Sequence, residues 1–133
     1  GTISADRGRT WSEKFTVVEN TAVVNTILPS LLRLQSGELA LFYLKMEDLG
    51  DSRMFVRKSY DEGETWGKTV FELNKCGMYA SSVVLADDTI VTAFAVEWHS
   101  NGRNELEILR WRVPPREVVE KNGVFKPRLA AIG

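Results

Sequence analysis

The sequence contains one cysteine, Cys76, and one histidine, His99, among 133 residues. This scarcity excludes an internal disulfide, and it excludes a zinc site made of cysteine and histidine, which needs more ligands. The apolar runs are short, and charges interrupt them well before the length of a membrane-spanning helix. The net charge of −1 lacks the basic excess that nucleic-acid binders usually show. We therefore expect no metal, no cofactor, no membrane and no nucleic acid.

The proportions of hydrophobic and charged residues are those of a soluble globular protein. Hydrophobic residues make up 44% and charged residues 26%, which leaves enough apolar side chains for a core. The N-terminus shows no signal-peptide pattern, and the sequence does not identify the cellular compartment of the protein. By length, residues 1–133 are expected to form a single unit.

Short apolar runs separated by turn residues dominate the chain. Two pairs of runs, 31–34 with 38–44 and 83–85 with 89–96, are each joined by a turn and predict β-hairpins. Further β-prone runs cover residues 53–60, 69–73 and 105–113. Helical periodicity is missing except for a short stretch at 115–121. Several short strands at regular spacing predict an all-β sandwich, barrel or propeller.

Internal repeats favour the propeller. The sequence Ser-Ala-Asp-Arg-Gly-Arg-Thr-Trp at 4–11, here called the N-terminal motif, recurs 55 residues later as Ser-Tyr-Asp-Glu-Gly-Glu-Thr-Trp at 59–66, the central motif. A second repeat places residues 30–34 and 81–85 at a distance of 51. Repeats of roughly 40 to 50 residues with four strands each are typical of propeller blades.

Both motifs match Ser-x-Asp-x-Gly-x-Thr-Trp at every fixed position, and this pattern resembles the Asp box of the sialidase superfamily of six-bladed propellers. In that family the box forms the turn between the third and fourth strands of a blade. The residue chemistry agrees, because short Ser and Asp side chains bond nearby backbone N–H groups and glycine adopts positive φ. The tryptophans are expected to bury a large apolar surface between blades. The matched residues are Ser4, Asp6, Gly8, Thr10 and Trp11, and Ser59, Asp61, Gly63, Thr65 and Trp66.

The alternative for these motifs is a calcium-binding loop. Neither copy has the alternating acidic series that ends on a glutamate at position twelve. A structural role for Asp6 and Asp61 is therefore favoured. In the resembling family the boxes also lie on the propeller rim, away from the central pocket.

The resemblance extends over residues 1–114 and implies about two blades of four antiparallel strands. Residues 1–19 would be a box and an outer strand, 20–75 a full blade and 76–114 an incomplete last blade. The run 109–114 is similar to the way sialidase-like chains close that blade. The tail at 115–133 carries no prediction.

The resemblance also implies a catalytic set, of which little is found. Family sialidases hold the substrate carboxylate with three arginines, and use an Asp as acid/base and a Tyr–Glu pair as nucleophile. One of the three family arginines belongs to an Arg-Ile-Pro motif. The equivalent residues in this chain are 27–29, and Ile27 stands where the family has the arginine. The equivalent place in the next blade is Met78. The missing arginines predict a chain without hydrolase activity.

Four residues remain as candidates. Tyr79 stands one residue before the position of the nucleophile, and such a shift sends a strand side chain to the other face unless the strand start is irregular. Glu97 falls where family members carry a glutamate that supports an arginine, although a solvated loop edge explains it as well. Arg53 and Arg57 lie on one face of a strand by the two-residue period, as anion ligands or as plain surface residues.

The function predicted from the sequence is a sialidase-like propeller fragment without hydrolase activity that assembles into a complete propeller and binds a carbohydrate. The alternatives are an active exo-sialidase-like glycoside hydrolase and a purely structural remnant. Residues 14–18 are counted as one outer strand, 28–74 as four strands and 80–113 as three. The last blade thus lacks an outer strand.

We expect the strand at 14–18 of one chain to complete the last blade of its neighbour. Because this contact is head-to-tail, it must close into a ring or continue as a filament, and three chains give six blades, a homotrimer. Two alternatives are that residues 123–127 supply the missing strand, or that the chain is part of a longer protein.

Overall fold

A computed structural model describes residues 1–48, 51–73, 80–98, 104–124 and 126. Within them the chain forms seven strands followed by one short helix. The strands are β1 (Asn25–Arg33), β2 (Leu39–Met46), β3 (Ser52–Ser59), β4 (Thr69–Leu73), β5 (Ser81–Val84), β6 (Ile90–Trp98) and β7 (Asn104–Trp111), and the helix is α1 (Arg116–Asn122). No helix in this described part is long and apolar enough to span a bilayer.

The strands form two antiparallel sheets. Sheet A has the order β1-β2-β3-β4 and sheet B the order β5-β6-β7. The all-β prediction is confirmed, since each β-prone run predicted between residues 31 and 113 overlaps a strand and the described residues between 20 and 113 contain no helix. The short helix predicted at 115–121 is present one residue further along the chain.

The second repeat of the sequence is also a repeat of structure. In sheet A the β1–β2 turn is closed by bonds from Leu34 N to Glu38 O (2.9 Å) and from Gly37 N to Leu34 O (3.0 Å). In sheet B the equivalent bonds run from Leu85 N to Thr89 O (2.8 Å) and from Asp88 N to Leu85 O (3.0 Å). Gly37 and Asp88 occupy the same place and both have positive φ. The two hairpins therefore turn in the same way.

The core lies between one face of each sheet, which we call the packed faces. Trp111 of sheet B stacks on Phe71 of sheet A with ring centroids 3.9 Å apart, and it meets Phe42 edge to face at 5.8 Å. The strands alternate, so the opposite, outer faces carry the intervening residues. The buried cluster comprises Leu34, Ala40, Phe42, Leu44, Met54, Val56, Phe71, Leu73, Ile90, Phe94 and Trp111.

Residues 14–18, predicted as an outer strand that pairs with a neighbouring copy, form no ladder within the single chain. Ser12 N donates to Ile3 O (2.8 Å) and Phe15 N to Gly1 O (3.0 Å), but these bonds do not extend into a ladder over 14–18. A strand needs a partner along its length, and residues 1–3 are too few to serve as one. The described residues of one chain contain seven strands, and the eighth, at 14–18, stays a prediction for the assembled propeller.

Candidate functional site

The N-terminal motif folds into a compact turn organised by one carboxylate. Asp6 Oδ1 accepts bonds from Ser4 Oγ (2.8 Å) and from the backbone N–H of Thr10 (2.8 Å), while its Oδ2 accepts from Thr10 Oγ1 (2.7 Å). Ser4 Oγ in turn accepts from Gly8 N at 2.7 Å. Arg7 and Gly8 have φ values of 61° and 84°, which form the left-handed corner of the turn.

The central motif, between β3 and β4, repeats these four bonds. Ser59 Oγ donates to Asp61 Oδ1 (2.8 Å) and accepts from Gly63 N (2.8 Å). Thr65 bonds both carboxylate oxygens of Asp61, through its N–H (2.9 Å) and its hydroxyl. The corner residues Glu62 and Gly63 have φ values of 57° and 91°. Two separate stretches with the same spacing thus reach the same conformation.

These bonds decide what the two aspartates can do. The backbone N–H and the hydroxyl of Thr10 lower the pKa of Asp6 to about 2, and the Thr65 hydroxyl, followed by its N–H, lowers the pKa of Asp61. Carboxylates held ionised as turn acceptors are unsuited to act as general acids at neutral pH. In the described part of the chain no three acidic, His or Cys side chains converge to hold a metal ion. The geometry favours a structural role.

Removing the Ser59 hydroxyl should destabilise the central motif. Ser59 is 1% exposed, and Ser59→Ala leaves the buried N–H of Gly63 without its acceptor. We expect a loss of about 1–2 kcal/mol in unfolding free energy, measured by urea denaturation. The matched change Ser4→Ala should have a smaller effect, because the N-terminal motif is more exposed and water can replace the bond. Equal losses in both variants would contradict this account.

The two motif tryptophans differ in burial. In each copy the indole lies over the glycine of its own motif, so that a Cβ added to Gly8 or Gly63 would stand 3.6 or 3.7 Å from the ring. Trp11 is 62% exposed in the single chain, where no sheet of the described residues lies against it, whereas Trp66 is half-buried beside sheet A. The burial of Trp11 between blades stays a prediction.

Arg53 and Arg57 lie on the outer face of sheet A, so their placement on a common face is confirmed. Arg53 is engaged by acidic neighbours: its guanidinium is 3.1 Å from Asp51 Oδ2 and 3.8 Å from Glu72 Oε1. The bonds to Asp51 raise the pKa of Arg53, with Asp51 the larger cause and Glu72 a smaller one. An anion approaching Arg53 would have to displace these carboxylates.

Arg57 holds part of the N-terminal segment against the sheet. Its Nη1 donates to the carbonyl oxygen of Val17 (3.2 Å), and its guanidinium carbon lies 6.0 Å from the centre of the Tyr43 ring. Arg57 Nε is buried and has no hydrogen-bond partner within the described part of the chain. Arg57 therefore retains donor capacity that Arg53 has used.

The remaining candidates are constrained differently. Tyr79 and Met78 lie outside the described residues. Glu97 is near the end of β6, the second strand of sheet B as predicted, and its side chain is outside the described part. Ile27 is half-buried against the core at a β-bulge, where the register shifts between Ile27 and Ser30 and the intervening Leu28 has φ of 54°. An apolar side chain thus takes the place that the resemblance gives to an arginine.

A cleft that the sequence did not predict lies beside the central motif. It has a volume of about 960 Å³ and is bounded by β3, β4 and α1, and we call it the Trp66 cleft. Its lining combines an aromatic surface with basic groups. Two of its residues, Trp66 and Arg57, each have a buried nitrogen, Nε1 and Nε, without a hydrogen-bond partner in the described residues. The lining includes Arg57, Lys58, Tyr60, Trp66, Lys68 and Glu120. An aromatic face beside polar and basic side chains suits a polar, ring-shaped ligand such as a sugar.

Comparison with known proteins assigns no family to this chain. No protein-family model, no curated protein and no solved structure matches it. Function must therefore be inferred from the chain's own geometry.

Proposed function

We propose that this chain is a sialidase-like propeller unit that contributes two blades and lacks hydrolase activity. The observation that carries the proposal is the pair of motifs with one shared hydrogen-bond network, one of which joins the third and fourth strands of a four-stranded meander. This is the place that the Asp box has in the resembling family. Sheet A is then one complete blade.

Sheet B fits the same scheme as the following blade. Its three strands have the same meander order as β1 to β3, and its first turn repeats that of sheet A. The sheets pack face to face through aromatic side chains, as consecutive blades do. Residues 1–19 are the last part of a preceding blade in this proposal.

The engagement of the two candidate arginines argues against hydrolysis. A substrate carboxylate is best held by guanidinium groups that are free to form two parallel bonds. Ile27 offers no such group, Arg53 is paired with Asp51 and Glu72, and Arg57 is bonded to Val17. The proposed role is therefore binding, with the Trp66 cleft as the carbohydrate site.

We expect the protein to show no exo-sialidase activity. A fluorogenic sialoside incubated with the full chain should release dye no faster than buffer does, because a complete arginine set is missing. Tyr79→Phe should leave that rate unchanged. Cleavage that Tyr79→Phe abolishes would overturn the proposal and establish the active hydrolase instead.

The same protein on a glycan array distinguishes binding from a purely structural role. Retention of a glycan that Trp66→Ala removes supports the cleft as the site. Trp11→Ala is the matched control, since Trp11 has the same place in the N-terminal motif and does not line the cleft. An array without retained glycans would favour the structural remnant.

A further inference from the structure

The outer face of sheet B is an uncovered apolar surface. Val83, Leu106 and Ile108 point to this face and are each more than half exposed, with Val91 and Ala93 between them. The second edge of β7 has no strand beside it in the described part of the chain. A face and an edge of this kind are sites for a protein partner.

This face repeats the packed face of sheet A in sequence. The central strands pair with the third strands in the same register, so that Met54, Val56 and Lys58 correspond to Leu106, Ile108 and Arg110. Two apolar residues and a cation thus recur at the same three places. In sheet A the apolar pair is buried against sheet B.

The packed face of sheet B, which covers sheet A, has an equivalent on the outer face of sheet A. Ile90, Thr92 and Phe94 on the packed face of sheet B correspond, at the 51-residue repeat, to Leu39, Leu41 and Tyr43 on the outer face of sheet A. The contact between sheets A and B inside one chain therefore serves as a template for a contact between two copies. It predicts that the outer face of sheet B fits the outer face of a sheet A, which only a second copy can supply.

The outer face of sheet A is covered along β2, where Leu41 is 6% and Tyr43 3% exposed, and is open along β1. The N-terminal segment covers part of it, where Val17 O accepts from Arg57 and Thr21 Oγ1 accepts from Lys45 at 2.7 Å. On β1 the same face remains open, and Leu31 is exposed there. The covering segment and the open strip would both face an incoming sheet.

The N-terminal segment supplies what the edge of β7 lacks. Residues 14–18 follow the N-terminal motif at the same distance as β4 follows the central motif. β4 pairs with β3, whereas residues 14–18 form no ladder, and sheet B has no fourth strand among the described residues. One molecule therefore contains a segment that forms no ladder and, in the described part of the chain, a strand edge without a partner.

We propose that the outer face of sheet B docks on the outer face of sheet A of a second copy, whose residues 14–18 pair with β7. The two surfaces differ, so the contact is head-to-tail, and in this proposal it closes into a ring rather than continuing as a filament. The docking follows from the repeat alone. The ring size of three rests on the proposed propeller function, since three chains of two blades make six.

Sedimentation of the full chain at micromolar concentration tests the assembly. We expect three times the chain mass of 15.0 kDa. Ile108→Glu and, as a second variant, Leu106→Glu should reduce the mass to that of one chain and leave the far-UV circular dichroism unchanged, because both side chains are exposed in the monomer. Val118→Glu is the control, an exposed apolar residue on α1 that should leave the trimer intact.

A mixing experiment tests the head-to-tail geometry. Ile108→Glu blocks the face of sheet B and Leu31→Glu the face of sheet A, so each variant alone should be a monomer. Mixed, they should form a one-to-one pair of twice the chain mass, because each retains the face that the other needs. A wild-type monomer, or a mixture without pairs, would overturn the proposal. A ring of another size that shows the same mixing would support the docking and contradict the six-bladed propeller.

Discussion

Trp111→Ala is expected to lower the free energy of unfolding by about 3–5 kcal/mol, the range for deleting a large buried aromatic side chain. Trp111 is 6% exposed and is the contact of sheet B with two aromatic residues of sheet A, Phe71 and Phe42. Its removal opens a cavity between two sheets that are each pinned by their own hydrogen bonds and cannot easily close over it. The effect should therefore be near the upper end of single-residue changes in this protein.

Equilibrium unfolding in urea, followed by far-UV circular dichroism, measures this loss at one fixed protein concentration, because association also adds to apparent stability. Trp11→Ala is the matched control. Since Trp11 is mostly exposed, its replacement should change stability by no more than about 0.5 kcal/mol. Similar losses in the two variants would mean that the sheets are not held together through Trp111.

The strands were predictable because their signals are local. Residues 69–73 were predicted as a strand and form β4 with the same bounds, since branched and aromatic residues there follow a motif that ends the preceding strand. The turns at 34–38 and 85–89 contain Gly37 and Asp88, residue types that tolerate positive φ. Turn chemistry and β propensity act over a few residues and need no knowledge of the rest of the fold.

The features that the sequence leaves open depend on what packs against a segment. Residues 14–18 have the composition of a strand, but whether they form one depends on a partner that residues 1–3 do not provide. Trp11 and Trp66 occupy the same place in the same motif and differ in burial, because only the latter has sheet A against it. Neither difference is visible in the eight residues of a motif.

In the candidate site, too, local features were predictable from the sequence and long-range contacts were not. The period of a strand placed Arg53 and Arg57 on one face, and this prediction is confirmed. Their engagement with Asp51, Glu72 and Val17 depends on loops and on an N-terminal segment 40 residues away from Arg57, which a single strand does not reveal. The Trp66 cleft likewise exists because α1 lies near the central motif. The roles of Tyr79 and Glu97 stay predictions.

Thr92→Val tests whether a buried polar contact helps to hold Trp111 within sheet B. Thr92 is fully buried, accepts a bond from Trp111 Nε1 at 3.0 Å, and shares a hydrogen bond with the Ser82 hydroxyl at 2.8 Å. Valine keeps the shape of threonine but leaves the indole N–H unpaired in the core, which should cost about 2–3 kcal/mol in urea unfolding.

A double-mutant cycle isolates the bond from the packing. In a Trp111→Phe background the indole N–H is gone, so Thr92→Val should cost clearly less than in the wild-type chain. Ser82→Ala is the matched control, because it removes the other partner of Thr92 and leaves the indole bond in place, at an expected cost of about 0.5–1.5 kcal/mol. If Thr92→Val costs the same in both backgrounds, the bond to Trp111 contributes nothing, and the threonine is held in the core by Ser82 and by its shape alone.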